Sequence, residues 1–366
     1  MSDELRALIS AEIGDRAAGW DLAGAIPAEV LRGLGAKGAL CAEVPAEYGG
    51  RGLTGLAGGE LTAHAGALCS SLRSVMTSQG MAAWTIQRFG TRRQRAEELT
   101  RLTQGGLAAV AFSEPQAGSD LSAIATTIVD DGDDVVLNGH KVWSTAAAYA
   151  DVVVVFGRYQ DGAAAVVVPT TTPGVTVRPV AQPLGCRAAG HADVLLDDVR
   201  LPATRVLSGA SQSLGLLTTI ALTYGRLSVA WGCVGIIRSC LHAAASHART
   251  REQFGKPLAQ HQLIARHLSE LVVAEQTATR VCEHAAGCWD SRSAELSHAS
   301  VLAKHVAAGQ ATHAASTAVQ VLASAGSVDG EPVARAYRDA KLMQIIEGSD
   351  EICQLILAER ALEGVA

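Results

Sequence analysis

The sequence predicts an α+β protein in three successive parts: an N-terminal α-helical domain, a middle antiparallel β-barrel and a C-terminal four-helix bundle. Three observations carry that prediction. Apolar residues recur at three- and four-residue spacing in the first part. Short β-branched runs, separated by tight-turn dipeptides, fill the middle. The last part consists of long stretches without proline.

The N-terminal domain covers residues 1–105. Helical periodicity is clearest in Glu29–Ala36 and Met76–Phe89, and the loop Pro45, Glu47, Tyr48, Gly49, Gly50, Gly52 interrupts it. The middle domain covers 106–207, with strand-like runs at Ala125–Val129, Val135–Leu137, Val152–Val155, Ala165–Val168 and Val175–Val177. Asp131-Gly132, Asn138-Gly139 and Asp161-Gly162 are expected to form tight turns that need positive φ. Pro169, Pro173, Pro179, Pro183 and Pro202 suit edges and loops. The C-terminal domain covers 213–366. Ser213–Gly255, Ala259–Asp290, Glu295–Ala325 and Arg335–Leu362 are each long enough for a bundle helix, and Gly255-Lys256-Pro257 breaks the first from the second.

Composition excludes several classes. Of 366 residues, 48% are hydrophobic and 18% charged, enough apolar content for large cores. Aromatics are only 4%, so alanine, valine and leucine fill those cores. A net charge of -6 without any Lys/Arg run argues against nucleic-acid binding. No basic start with an apolar follow-on marks a secretory signal, and no long uninterrupted apolar run marks a membrane span. A cytoplasmic protein is expected. Eight cysteines without a C-x-x-C read as small buried hydrophobes. No H-E-x-x-H is present, and His242 and His247 are badly spaced for one helix face, so no metal site is expected.

Several strings invite chemistry. Gly50-Arg51-Gly52-Leu53-Thr54-Gly55 fits G-x-G-x-x-G, but Val44–Tyr48 is a poor strand, so a glycine-rich turn is the better reading. Ser113–Asp120 taken alone is a turn with Ser113 and Asp120 as local caps. Trp143-Ser144-Thr145 taken alone places a core aromatic. Arg251–Leu258 taken alone is a helix end, although an arginine there can also bind a phosphate. Ser349 is a good N-cap for the last helix, with Asp350 and Glu351 in its first turn. Glu347 differs. It follows Leu342, Met343, Ile345 and Ile346 and precedes a glycine. A carboxylate in that apolar setting loses solvation, its pKa rises, and it suits general-base work near neutral pH.

Together and in this order, these strings resemble the acyl-CoA dehydrogenase family. The likeness runs from Pro45-Ala46-Glu47-Tyr48-Gly49-Gly50 to the last helix. Ser113–Asp120 resembles the family's first signature, and Arg338-Asp339 through Glu347-Gly348-Ser349 its second. The resemblance implies the acyl-CoA dehydrogenase fold, with FAD between barrel and bundle. Val110, Phe112 and Ser113 would line the flavin ring, with Trp143 and Thr145 closing its other side. Arg251 and Phe254 would reach the FAD of a neighbouring subunit, which implies a homodimer or homotetramer. Gln262, Gln320, Ser349 and Glu351 match further cofactor positions. Ser119, Arg226, Ile346 and Gly348 would contact substrate. Glu347 would take the α-proton of an acyl thioester while FAD takes a hydride from the β-carbon.

Departures from the family pattern bear on the substrate. Ile346 replaces an aromatic, Thr223 an acid, Ala323-Ser324 a Gly-Gly pair and Ala146 an asparagine. Some members carry the base at the position of Gly225, so here Glu347 has no rival. Within the family the chain looks most like the enzymes that help make methoxymalonyl-acyl-carrier-protein, a polyketide extender unit of ascomycin-type macrolides. The implied substrate is a three-carbon hydroxyacyl or hydroxy-oxoacyl group on an acyl carrier protein. Alternatives are a short-chain CoA thioester, a flavin oxidase or monooxygenase of the same fold, and a flavin-free helical scaffold. The electron acceptor is left open.

Overall fold

The structure, a computed structural model, describes residues 2–207 and 212–363. Six helices open the chain: α1 (Ser2–Ile13), α2 (Arg16–Ala23), α3 (Ala28–Ala36), α4 (Gly55–Leu68), α5 (Ser70–Phe89) and α6 (Arg92–Thr103). The Pro45–Gly52 loop falls between α3 and α4 and holds one short turn, Ala46–Tyr48, rather than a strand. Its G-x-G-x-x-G string is therefore outside any dinucleotide-binding context. A reciprocal capping box starts α6: Thr91 Oγ1 accepts from Gln94 N–H, and the Gln94 side chain accepts from Thr91 N–H.

Seven strands follow: β1 (Ala108–Ala111), β2 (Thr127–Asp131), β3 (Asp134–Ser144), β4 (Val152–Tyr159), β5 (Gly162–Pro169), β6 (Val175–Pro179) and β7 (Ala192–Pro202). They form one curled sheet in the order β1-β4-β2-β3-β7-β6, with β5 also on β4. The β2–β3 and β4–β5 hairpins turn at Asp131-Gly132 and Asp161-Gly162 as expected. At the second turn it is Gln160, not Gly162, that takes positive φ. The valine run of β4 is buried on both faces, as a strand at the centre of two cores must be.

Two expectations need correction. The sheet is mixed, because β4 pairs parallel with both β1 and β2. Parallel pairing needs a long crossover, and the chain between β1 and β4 supplies one. Asn138-Gly139 is not a turn. It lies inside β3, where the register with β7 shifts. Gly139 sits there because a Cβ would come 2.2 Å from Thr126 Oγ1, and the Asn138 amide clamps Asp198 across the bulge.

The C-terminal part contains α7 (Leu214–Thr250), a small hairpin of β8 (Glu252–Gln253) and β9 (Lys256–Pro257), then α8 (Gln262–Asp290), α9 (Leu296–Leu322), α10 (Pro332–Met343) and α11 (Asp350–Glu363). α7 is the hub and packs on α4, α5, α8, α9 and α10. One window of it is apolar enough to cross a membrane by composition, but 83% of that window is buried inside the protein. It approaches α4 so closely that a Cβ on Gly235 would meet Ala63 O at 2.1 Å. All eight cysteines are buried thiols, consistent with their reading as small hydrophobes.

The stretch Arg335–Leu362 is not one helix. α10 ends at Met343, and the chain turns through Glu347 (φ 56°) and Gly348 (φ 94°) before α11 starts. Two successive left-handed residues cannot continue a right-handed helix. That interruption positions the candidate base.

Candidate active site

Glu347 points from the α10–α11 turn into the crossing of α5 and α7. Its carboxylate lies over the bare backbone of Gly225: a Cβ there would come 2.5 Å from Oε2 and 2.8 Å from Met81 Sδ. Buried cations hold the turn by its carbonyls. Arg226 Nε donates to Glu347 O (3.1 Å), and Lys304 Nζ donates to Gly348 O (2.6 Å) and Gln344 O (3.3 Å). Gln344 and Asp350 close the turn by two further hydrogen bonds. Among the described residues no cation forms an ion pair with the Glu347 carboxylate. Burial therefore dominates and lifts this carboxyl from 4.5 to about 7, against the weaker pull of Arg226, Lys304 and Arg73. The N–H of Glu347 makes no hydrogen bond among the described residues, which leaves it free to donate to a ligand oxygen.

A second group of residues lines the barrel edge facing α5. Ser78 Oγ, on α5, donates to Thr145 O (2.8 Å) and lies 3.4 Å from the N–H of Val110 on β1. Phe112 stacks on Phe156 with centroids 4.4 Å apart. Ser113 O accepts from Val142 N–H, which ties the start of the signature loop to β3. Thr145 Oγ1 is 3.2 Å from His191 Nδ1. Burial and the nearby Arg73 push His191 down to about 4, so it is neutral. Trp143 takes φ 55° and leaves 55% of its surface exposed beside His191. Ser144 Oγ and His191 Nε2 are buried without a partner. An uncovered indole beside orphaned polar atoms fits a planar heteroaromatic ring with a hydrogen-bonding edge. FAD, when bound, would supply such a ring and with it a two-electron acceptor.

The Ser113–Asp120 loop owes its shape to Glu114 rather than to Ser113. Glu114 accepts from Lys141 Nζ (2.6 Å), Thr126 N–H and Oγ1, and Ala125 N–H, while Lys141 also donates to Phe112 O. Burial would raise its pKa, but these donors outweigh burial and hold it near 2. Asp120 caps Ser122 locally, as expected. Replacing Glu114 by Gln strands a buried ammonium. We expect a loss of about 3–5 kcal/mol, read as a lower urea midpoint at neutral pH. Because this pKa is depressed, the wild-type contribution is complete above pH 4.5 and fades as pH falls toward 2. The gap between variant and wild type should close over that interval.

The remaining sequence-derived residues lie elsewhere. Arg251, Phe254 and Gln262 surround the β8–β9 hairpin, 24 helical residues beyond Arg226, or roughly 36 Å along α7. Phe254 is 96% exposed, and among the described residues the side chain of Arg251 has no hydrogen-bond or ion-pair partner, although its main chain is bonded to His247 and Leu258. Gln320 is exposed near the end of α9, and Ser119 is exposed on its loop. Ser349 Oγ accepts from Ile352 N–H at the start of α11, with Glu351 exposed beside it. Ile346 packs on the bundle core next to Glu347. Thus Arg226, Ile346, Glu347 and Gly348 form one cluster; Val110, Phe112, Ser113, Trp143 and Thr145 form a second; Ser78 and Met81 on α5 join the two. Sequence reasoning missed Ser78, Arg73, His191 and Lys304. Arg73 had a visible signal, since it is the only charge in α5 before Arg88.

Family models decide the kinship. The acyl-CoA dehydrogenase N-terminal, middle and C-terminal domain models match residues 1–106, 109–199 and 216–362.

This chain belongs to the acyl-CoA dehydrogenase family.

The dehydrogenase is 33% identical over 345 residues to the human mitochondrial short-chain specific acyl-CoA dehydrogenase, covering 92% of this chain and 83% of the relative. It is 30% identical over 370 residues to glutaryl-CoA dehydrogenase of Desulfococcus multivorans, covering 98% and 94%. Among solved structures it matches FkbI, which serves biosynthesis of the methoxymalonyl extender unit of the polyketide immunosuppressant Fk520. That match has 60% identity and a TM-score of 0.94 and covers 98% of this chain and 99% of FkbI. The protein is accordingly an FAD-dependent oxidoreductase.

Proposed function

We propose that this dehydrogenase oxidises a short acyl thioester held on an acyl carrier protein, a three-carbon hydroxyacyl or hydroxy-oxoacyl group on the way to hydroxymalonyl and methoxymalonyl units. The substrate reading rests on the 60% identity to FkbI over nearly both chains. The reaction reading rests on Glu347, a half-buried carboxylate without an ion-pair partner among the described residues, raised to about 7 by desolvation. Its ionised form takes the α-proton near neutral pH. The thioester oxygen is received by the free N–H of Glu347, so negative charge building on that oxygen meets a donor already in place. Arg226 and Lys304 act on the turn. They fix the carbonyls that flank Glu347 and so fix its aim. FAD, held beside Trp143 and Thr145, would supply the two-electron acceptor for oxidation at the β-carbon. On a substrate hydrated at C3, the same base removes a hydroxyl proton instead.

The uncovered Arg251 and Phe254 support a homo-oligomer in which this hairpin completes a neighbour's cofactor site. The test is anaerobic. Holoenzyme is mixed with propionyl, 3-hydroxypropionyl and 3-oxopropionyl thioesters on a carrier protein and on CoA, and loss of the flavin's visible colour is followed. Bleaching faster on the carrier-protein series supports the proposal. Bleaching confined to CoA thioesters assigns the protein to the CoA-dependent reaction. No bleaching with any of them overturns it. Rapid recolouring by air alone, without another acceptor, would make it an oxidase.

A further inference from the structure

Residues 88–95 hold four arginines, Arg88, Arg92, Arg93 and Arg95, and no acid, in a chain whose net charge is -6. They do not form an unbroken run, but folding gathers them. Arg92 and Arg93 open α6, and no acid stands in its first turn. The N-terminus of a helix carries partial positive charge, so cations there are unfavourable. Among the described residues none of the four forms an ion pair, although Arg101 and Arg205 both pair with Glu98 on the same helix. Arg88, Arg92 and Arg93 are exposed, and Arg95 is half-buried with its Nε donating to Gly90 O (2.8 Å). The guanidinium of Arg88 lies over the Trp84 ring, 5.5 Å from its centroid.

The tertiary structure adds a fifth arginine and a cleft. Arg292, from the turn between α8 and α9, joins Arg88, Arg95 and Trp84 in lining a cleft of about 560 Å³. Arg292 is exposed and also lacks an ion pair among the described residues. The acids of the cleft are engaged: Asp290 accepts from Gly55 N–H (2.6 Å), and Glu43 accepts from the Tyr224 hydroxyl (3.0 Å). The inner wall reaches Gly80 and Tyr224. Each is next in sequence to a residue beside the Glu347 carboxylate, Met81 and Gly225. Arg88 lies seven residues beyond Met81, on the same face of α5 and about 10 Å along it. The arginines thus surround the surface end of the α5–α7 crossing whose interior holds Glu347.

We propose that these arginines are the landing surface for an acidic carrier protein, whose arm enters at this end of the crossing. This deepens the proposed function and rests on its carrier-protein reading. A small anion in the cleft would need only Arg88, Arg95 and Arg292. Arg92 and Arg93 stand outside the lining, and at 100° per residue Arg92, Arg93 and Arg95 fan over about 160° of α6. One phosphate cannot engage a fan of that width, but the acidic face of a folded domain can. An RNA strand would engage the charges and has no use for the cleft. On a chain of net charge -6, a positive patch also decides where an acidic partner lands, because complementary potential steers encounter and like charge elsewhere repels.

The test mixes FAD-loaded enzyme with a holo-acyl carrier protein, its arm unacylated, and reads binding by calorimetry. Wild type is expected to bind, and to bind at least about tenfold more weakly as salt rises from about 0.05 M to about 0.5 M. The double variant Arg92→Glu, Arg93→Gln should bind at least about tenfold more weakly at low salt and lose most of that salt dependence. Its affinity for CoA, read from the flavin spectrum, should be unchanged. Melting gives a further readout. The variant puts an acid where the dipole of α6 favours one, so its midpoint should not fall below wild type. Absence of carrier-protein binding in wild type, or equal binding by the double variant, overturns the proposal. An equal loss of CoA affinity overturns it by making the arginines a phosphate site. Tighter binding of a poly-uridine oligonucleotide than of the carrier protein overturns it too, as does a lowered midpoint. Binding is measured without turnover. A carrier protein that lands here while its acyl group never bleaches the flavin leaves the surface standing and removes the proposed reaction.

Discussion

Glu347→Gln is expected to keep its FAD and its melting behaviour at acid pH while losing flavin reduction by about 10³–10⁴-fold, the upper range for a positioned general base. Gln fills the same space over Gly225 and keeps the turn held by Arg226 and Lys304, since both cations bind main-chain oxygens. What disappears is the ability to accept a proton. The wild-type reduction rate should rise about tenfold per pH unit below 7 and level off above it, because the base works only when ionised and its pKa is about 7. Stability should run the other way. This pKa is raised above its ordinary 4.5, so the folded state prefers the protonated form, and wild type loses stability as pH rises from 4.5 through about 7. Glu347→Gln lacks that loss and should overtake wild type in thermal midpoint over the same interval. Rapid stopped-flow reduction and melting curves at stepped pH check both statements. A variant that still bleaches the flavin at the wild-type rate would place the base elsewhere.

Gly225→Ala is expected to cost about 100-fold in the reduction rate with little change in FAD content. A Cβ at 225 would lie 2.5 Å from the carboxylate of Glu347 and 2.8 Å from Met81 Sδ, so one or both must move. A displacement near 1 Å of a reacting group is enough for a loss of that size. Helix propensity favours alanine over glycine here, so the defect should not come from α7 itself. The pairing with Met81 gives a sharper check. Met81→Ala opens the space that the new methyl needs, so the double variant should recover part of the rate lost in Gly225→Ala. That non-additivity is the signature of two side chains competing for one volume. Full activity in Gly225→Ala would mean that the carboxylate acts from another position.

Much of this protein is decided locally and could be read from the chain. The α–β–α order follows from period and turn chemistry, which neighbouring residues set between themselves. Glu347 was also legible, because an acid inside an apolar run next to a glycine is unusual by local composition alone. Local patterns misled where one residue type serves two ends. Asn138-Gly139 looks like a hairpin turn, but the glycine is required by Thr126, 13 residues away in the chain, and not by φ. Within Arg335–Leu362 the sequence signals the start of the last helix at Ser349, but not the left-handed conformation of Glu347 itself. That turn is held open by Arg226 and Lys304, more than forty residues upstream.

The sequence by itself therefore determined the layers, the signature strings and the acid proposed as base. Only the tertiary structure decided how that acid is aimed and what surrounds it. Whether Arg73 is an ordinary surface charge or a buried cation depends on Met343, 270 residues away, and on Gly232. The physical reason is that desolvation and pairing are properties of a volume. A linear string states which groups exist, but folding alone states which of them share that volume without water.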